Sequence, residues 1–147
     1  MKIDKLCSRD AVTVPPDAKV VDAARLMRSH HVGAVVVTNP DKRPMGILTD
    51  RDIVVGIVAK DVPHFETLDV RDVLTPDPIV ALEHEDADAV LARMRRHGIR
   101  RVPVVDKEGH LIGVFALDDA LTHLASKLGD VTSLLRAEQW REQQRRR

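Results

Sequence analysis

The chain repeats itself. Sliding its 147 residues by 67 aligns residues 3–54 with 70–121 without a gap. From Val12 onward seven pairs are identical: Met27/Met94, Arg28/Arg95, His30/His97, Val35/Val102, Val37/Val104, Gly46/Gly113 and Asp52/Asp119. Other pairs keep only their apolar character: Val12/Ile79, Ala23/Val90, Ala24/Leu91, Val32/Ile99, Ile47/Val114 and Leu48/Phe115. A period this long, present in two copies, is not that of a solenoid. It marks a duplicated module, each half too short to bury a comfortable core alone.

The same elements are expected in both copies. A short helical lead over 3–7 and 70–74 runs into a brief strand over 12–14 and 79–82. Asp17 and Asp86 then introduce amphipathic helices, with Val20, Ala23, Ala24 and Met27, or Ala87, Val90, Leu91 and Met94, at helical spacing. Strands follow over 34–38 and 101–105, turns over 39–42 and 106–109, and second strands over 45–48 and 111–115. A closing helix starts near Thr49 or Leu117. The order is β-α-β-β-α, twice, an α+β (mixed α/β) chain. Repeat 1 is assigned to residues 1–62, a linker with Pro63 to 63–69, and repeat 2 to 70–128. Gly129 is suited to stop a helix, and Asp130 or Thr132 to cap another. Residues 129–147 are therefore expected as a separate helical tail, with Val131, Leu134, Leu135 and Trp140 on its apolar face.

Composition narrows the function. Lys plus Arg and Asp plus Glu are 23 each, so the net charge is zero. That balance argues against a chain whose main task is neutralising nucleic acid or an anionic membrane. The aromatics are only Phe65, Phe115 and Trp140, too few for a base-stacking platform. The apolar runs are too short to span a bilayer and no signal-peptide pattern opens the chain, so a cytoplasmic location is expected. A lone Cys7 closes no internal disulfide; aligned with Leu74, it is expected as a small buried apolar residue. No nucleophile–base pair, metal triad or Walker-type loop is present, so the chain is not expected to be an enzyme.

The doubled β-α-β-β-α order, with GILTDRDI at 46–53 and GIRRVPVVD at 98–106, resembles a tandem pair of cystathionine β-synthase (CBS) domains, a Bateman module. The likeness covers roughly residues 3 to 124. It implies a stand-alone regulatory or sensor module in which two repeats pack with pseudo-two-fold symmetry and leave two clefts. In this family such clefts often hold adenosine-containing ligands (AMP, ADP, ATP, S-adenosylmethionine or an NAD-type dinucleotide), while other members bind metals or nothing known. It also implies dimers. No cofactor is required; an adenosine nucleotide would be a regulatory ligand.

Residue by residue, the likeness assigns Thr49 to a ligand phosphate and Asp52 to ribose hydroxyls. A carboxylate suits two adjacent hydroxyls, and a helix N-terminus suits a phosphate. The same Thr-x-x-Asp spacing is also a capping box that needs no ligand. Repeat 2 keeps Asp119 but has Ala116 in the hydroxyl position, so phosphate binding is expected to favour the Asp52 cleft. The likeness lines that cleft with Ile47, Gly33 and Ala34, and with Ile79 and Val80 from repeat 2. It lines the Asp119 cleft with Val114, Arg100 and Arg101, and with Val12 and Thr13 from repeat 1. Arg93 and Arg96 are expected on a solvated helix face. His30-His31 and His97-Gly98 fall at helix C-termini, where a cation is favourable; no metal site is expected there.

A second reading makes the chain a ligand-free structural homodimer that contacts a protein target through its C-terminal helix. Either way a homodimer is expected, because the closing helices look too apolar for water. Ile53, Val54, Val55, Ile57 and Val58 fill one, and Leu117, Ala120, Leu121, Leu124 and Leu128 mark the other. The Arg-rich end is offset by Glu138 and Glu142, which argues against a nucleic-acid contact.

Overall fold

The computed structural model describes residues 1–146; Arg147, part of the expected tail, lies outside them. The expected strands and repeat helices form, the separate tail excepted, and they build two sheets. Repeat 1 supplies β1 (Thr13–Val14), α1 (Val20–His30), β2 (Ala34–Thr38), β3 (Pro44–Thr49) and α2 (Asp50–Ile53). Helix α2 continues as a π-helical turn over Val54–Val58. Repeat 2 supplies β4 (Thr75–Pro76), β5 (Ala81–Leu82), α3 (Ala87–His97), β6 (Arg101–Val105), β7 (Leu111–Ala116) and α4 (Leu117–Arg145).

Each repeat buries its helix on its sheet. Val20, Ala23 and Met27 of α1 meet Val35, Val37 and Leu48 in one core, while Ala87, Val90 and Met94 of α3 meet Val102, Val104 and Phe115 in the other. In both helices the buried residues recur three and four apart, which sets one stripe against the sheet.

The sequence does not reveal which core each lead segment joins. The two leads are exchanged. Ile3 is fully buried, but in the core of repeat 2, where its N–H donates to the Glu85 carbonyl. Val70 is fully buried in the core of repeat 1, and its N–H donates to the Ala18 carbonyl. The exchange continues into the sheets. Strand β4 pairs with β3, so the first sheet runs β1-β2-β3-β4 with its last strand from repeat 2. Reciprocally, Ser8 pairs with Val114 on the edge of the β5-β6-β7 sheet.

The glycines shared by the repeats stand where the exchanged segments cross. A Cβ on Gly46 would sit 2.6 Å from the Thr75 carbonyl oxygen and 2.5 Å from Leu74, and one on Gly113 would press on the Ser8 carbonyl and on Cys7. Cys7 packs against the repeat 2 core, and burial pushes its thiol above the usual range.

The chain departs from expectation at Gly129. It neither stops a helix nor starts a tail: α4 runs unbroken through it for 29 residues. A helical glycine costs only about 1 kcal/mol relative to alanine, which the continuing backbone ladder tolerates. Thr132, expected as a cap, donates its hydroxyl to the Leu128 carbonyl inside the helix. Arg93 departs too. Instead of lying solvated, its guanidinium is half-buried and donates to Glu85 and to the Val80 carbonyl.

One tie across the repeats is pH-sensitive. Lys19, beside the start of α1, donates to Asp69, beside the lead of repeat 2, at 2.7 Å. This hydrogen bond holds the Asp69 carboxyl below its usual range. A carboxyl depressed in the folded state stabilises it above the unfolded value, near pH 4, and loses that contribution as pH falls through the folded value. The melting temperature of Asp69→Asn is therefore expected to fall less than that of the wild type when acid is added below about pH 4. The difference, read by a thermal melt at each pH, should be small because the pair is solvent-accessible.

Candidate functional site

The two repeats leave two clefts between them. One, of about 410 Å³, is lined by Ile47, Thr49 and Asp52 of repeat 1 and by Ile79, Arg100 and Arg101 of repeat 2, with Asp50, Arg51 and Asp77 at its edges. The other, of about 280 Å³, is lined by Val114 and Asp119 of repeat 2 and by Val12, Gly33 and Ala34 of repeat 1, with Asp10, His31 and Asp118. Both volumes are near the size range of small-molecule sites.

The helix start beside each cleft is built from the capping pattern. Thr49 Oγ1 accepts from the Asp52 N–H at 3.1 Å, and Asp52 Oδ2 accepts from the Thr49 N–H at 2.9 Å. The box is complete, yet it leaves ligand-binding capacity. A hydroxyl that accepts still has its own proton to donate, and a carboxylate with one oxygen engaged has a second. Capping and ligand binding are compatible at these two residues. At α4 only half of the box exists: the Ala116 N–H donates to Asp119 Oδ2 at 2.8 Å, and alanine has nothing to return.

The geometry regroups several expected lining residues. Gly33 and Ala34 line the Asp119 cleft, not the Asp52 cleft. Strands β1 and β2 are parallel, with Thr13 opposite Val36. Their N-terminal ends therefore lie at the same end of the sheet, and Gly33 and Ala34 must share a cleft with Val12. The same pairing in repeat 2, Ala81 opposite Val104, puts Arg100 beside Ile79 in the Asp52 cleft. Val80 and Thr13 line neither cleft, because successive strand residues face opposite ways and Ile79 and Val12 take the inward positions. Thr13 lines a separate depression with Pro15 and Arg71.

Arg101 and Ile47 line both clefts and form the wall between them. The Arg101 guanidinium reaches across to the Gly33 carbonyl at 3.4 Å. Charge divides unequally around this wall. Arg51, Arg100 and Arg101 balance Asp50, Asp52 and Asp77 in the Asp52 cleft, whereas Asp10, Asp118 and Asp119 face only Arg101 and His31 in the other. The aligned aspartates Asp10 and Asp77 stand at equivalent places in the two clefts. Their identity under the 67-residue shift is the signal that would have found them.

The helix ends expected to favour a cation are formed by His31 and Gly98, both left-handed, and His97 Nδ1 lies 2.9 Å from the Arg93 carbonyl. Asp106, Glu108 and His110 bring metal-ligand atom types within 4.8 Å of one another. Asp106, however, is occupied by the turn. It accepts from the His110 and Glu108 N–H groups, and the first of these leads in holding its carboxyl below the usual range.

Comparison with known proteins agrees with this architecture. The model of the CBS domain family matches residues 3–59 and again 70–126. The uncharacterized protein MK0525 of Methanopyrus kandleri is 33% identical over 121 residues, covering 82% of this chain and 61% of that protein. Inosine-5′-monophosphate dehydrogenase of Methanocaldococcus jannaschii is 32% identical over 120 residues, covering 82% of this chain but 23% of the enzyme. The chain thus spans less than two thirds of the length of either curated relative. Among solved structures, the CBS domain protein PAE2072 of Pyrobaculum aerophilum, complexed with AMP, is 30% identical with a TM-score of 0.74, over 86% of this chain and 99% of that one. Among the described residues no helix is long and apolar enough to cross a membrane.

Proposed function

The chain belongs to the CBS domain family, with two copies of the domain in tandem, and from that premise we propose that it is a regulatory module that binds an adenosine nucleotide in the Asp52 cleft. One observation carries the reading. After the capping box is satisfied, the Thr49 hydroxyl proton and one Asp52 oxygen remain beside a cleft that Arg100 and Arg101 also line. The carboxylate suits a ribose diol, the hydroxyl and guanidinium groups suit a phosphate, and Ile47 and Ile79 supply aliphatic walls for a base. That PAE2072 was solved with AMP supports the ligand class.

The Asp119 cleft is the poorer phosphate site. It lacks the hydroxyl, and its carboxylates outnumber the cations they face. It suits an adenosine carrying no phosphate, or none at the helix start. The module has no chemical step of its own in this reading; occupancy is the signal, passed to a protein target. Exposed apolar residues on the π-helical turn and on α4, Val54, Val55, Leu124 and Leu128 among them, support a homodimer as the working state.

The test is a thermal-shift and calorimetric panel of AMP, ADP, ATP, adenosine, NAD and S-adenosylmethionine. A ligand present at a hundred times its Kd adds about 2.7 kcal/mol of stability. AMP or ATP is expected to give saturable heats and a higher melting temperature. No response across the panel at millimolar concentration would discard the reading and leave the ligand-free dimer.

A further inference from the structure

The face of α4 that the rest of the chain leaves uncovered carries a strict pattern. Leu117, Leu121, Leu124, Leu128, Val131 and Leu135 follow one another at alternating spacings of four and three. All are between 36 and 69 % exposed, while Ala120, which flanks the stripe on one side, is buried in the chain's own core and marks the edge at which that core ends. Every described residue from Leu124 to Arg146 is exposed. A 3–4 alternation has a mean period of 3.5, which keeps a stripe in register with a second helix in a left-handed supercoil.

We propose that this stripe is the seam of a coiled coil with α4 of a second copy, the two helices antiparallel and the two-fold axis passing at the level of Ser126. The proposal deepens the homodimer reading above and rests on it. The occupant follows from the stripe's own symmetry. Inversion about Ser126 lays Leu117 opposite Leu135, Leu121 opposite Val131 and Leu124 opposite Leu128, so all six apolar residues find an apolar partner and none overhangs. A self-complementary patch is what an isologous contact requires. The seam is about 27 Å long at 1.5 Å per residue.

Charge selects the direction. The first turn of α4 carries Asp118 and Asp119, and its far end carries Arg136, Arg141 and Arg145. Antiparallel pairing brings the basic end of each helix to the acidic start of the other and opposes their dipoles. Parallel pairing would instead stack Glu138 on Glu138 and Glu142 on Glu142, the next two seam positions. Ala125 of each copy meets on one side of the axis. The two Lys127 side chains meet on the other, where long stems let their ammonium groups splay into water.

Light scattering on the full chain, with Leu124→Glu and with Ala125→Cys in a Cys7→Ser background, tests this. The wild type is expected to be a dimer, and Leu124→Glu should raise the dimer Kd by roughly two decades or more, since it places an unpaired carboxylate in the seam. Its cooperative melt should persist, because Leu124 contributes nothing to either core. Ala125→Cys should cross-link to itself on oxidation, as only the antiparallel pairing brings the two residues 125 to one side. A wild-type monomer would overturn the homodimer reading and the seam with it. A dimer indifferent to Leu124→Glu would keep the homodimer and overturn the seam. A dimer sensitive to Leu124→Glu but unable to cross-link through Ala125→Cys would overturn the antiparallel register.

Discussion

Gly113→Ala is expected to destabilise the protein by about 1–3 kcal/mol, lowering the melting temperature by roughly 3–10 °C for a chain of this size. The added methyl has no room: it meets the Ser8 carbonyl and Cys7 Sγ, where the exchanged lead of repeat 1 crosses β7. A backbone carbonyl held in a strand bridge cannot swing aside as a side-chain tip can. Gly46→Ala should cost a similar amount, against the Thr75 carbonyl and Leu74. The control is the same substitution at Gly129, which lies mid-helix with nothing beyond its own helical backbone within 4 Å of the new methyl. There alanine should stabilise, by about 0.5–1 kcal/mol, through helix propensity alone. Thermal melts of the three variants read the signs directly. If Gly113→Ala melted with the wild type, the close crossing of lead and strand would not exist in solution.

Thr49→Ala is expected to weaken AMP binding at the tighter of two calorimetric events by one to two decades. A hydrogen bond to a charged group is worth about 1.5–3 kcal/mol. Adenosine, which offers no phosphate, should lose little. Asp52→Ala should abolish the tighter event and Asp119→Ala should leave it nearly intact. Arg100→Ala decides the regrouping of the clefts. If Arg100 serves the Asp52 cleft, as the parallel β5–β6 pairing requires, this variant weakens the tight AMP event. If it weakens only the loose event, the regrouping fails. Loss of the tight event in Asp119→Ala would place the main site in repeat 2 and overturn the assignment.

Much of this is legible in the sequence, because the repeat reads each element twice. Val20, Ala23 and Met27 had Ala87, Val90 and Met94 as a second witness, and both stripes are buried. The closing helix was the exception. Glycine at 129 has the composition of a stop, but a helix ends where its ladder ends, and neither Asp130 nor Thr132 interrupts it. The cleft grouping was carried over from the family likeness, and the repeat could not correct it. Alignment of a chain with itself says which residues are equivalent and nothing about which copy each one packs against. Strand direction was the missing information, since a parallel β1–β2 pair ties Val12 to Gly33 in one cleft. Gly46 shows the same limit: the repeat pairs it with Gly113, but only the fold shows that its neighbours are Leu74 and Thr75 of the exchanged lead.

The exchange also bears on why the two units share one chain. A single unit of this length, standing alone, would have an undocked lead and a core with an empty socket where Ile3 or Val70 now sits. A second identical unit remedies both deficits at once, each lead filling the other's socket around a two-fold axis. The tandem chain carries both units in one molecule, so their association does not depend on concentration. Covalent linkage also removed the requirement that the halves match. Threonine at 49 opposite alanine at 116 is a difference that no homodimer of a single gene could have carried.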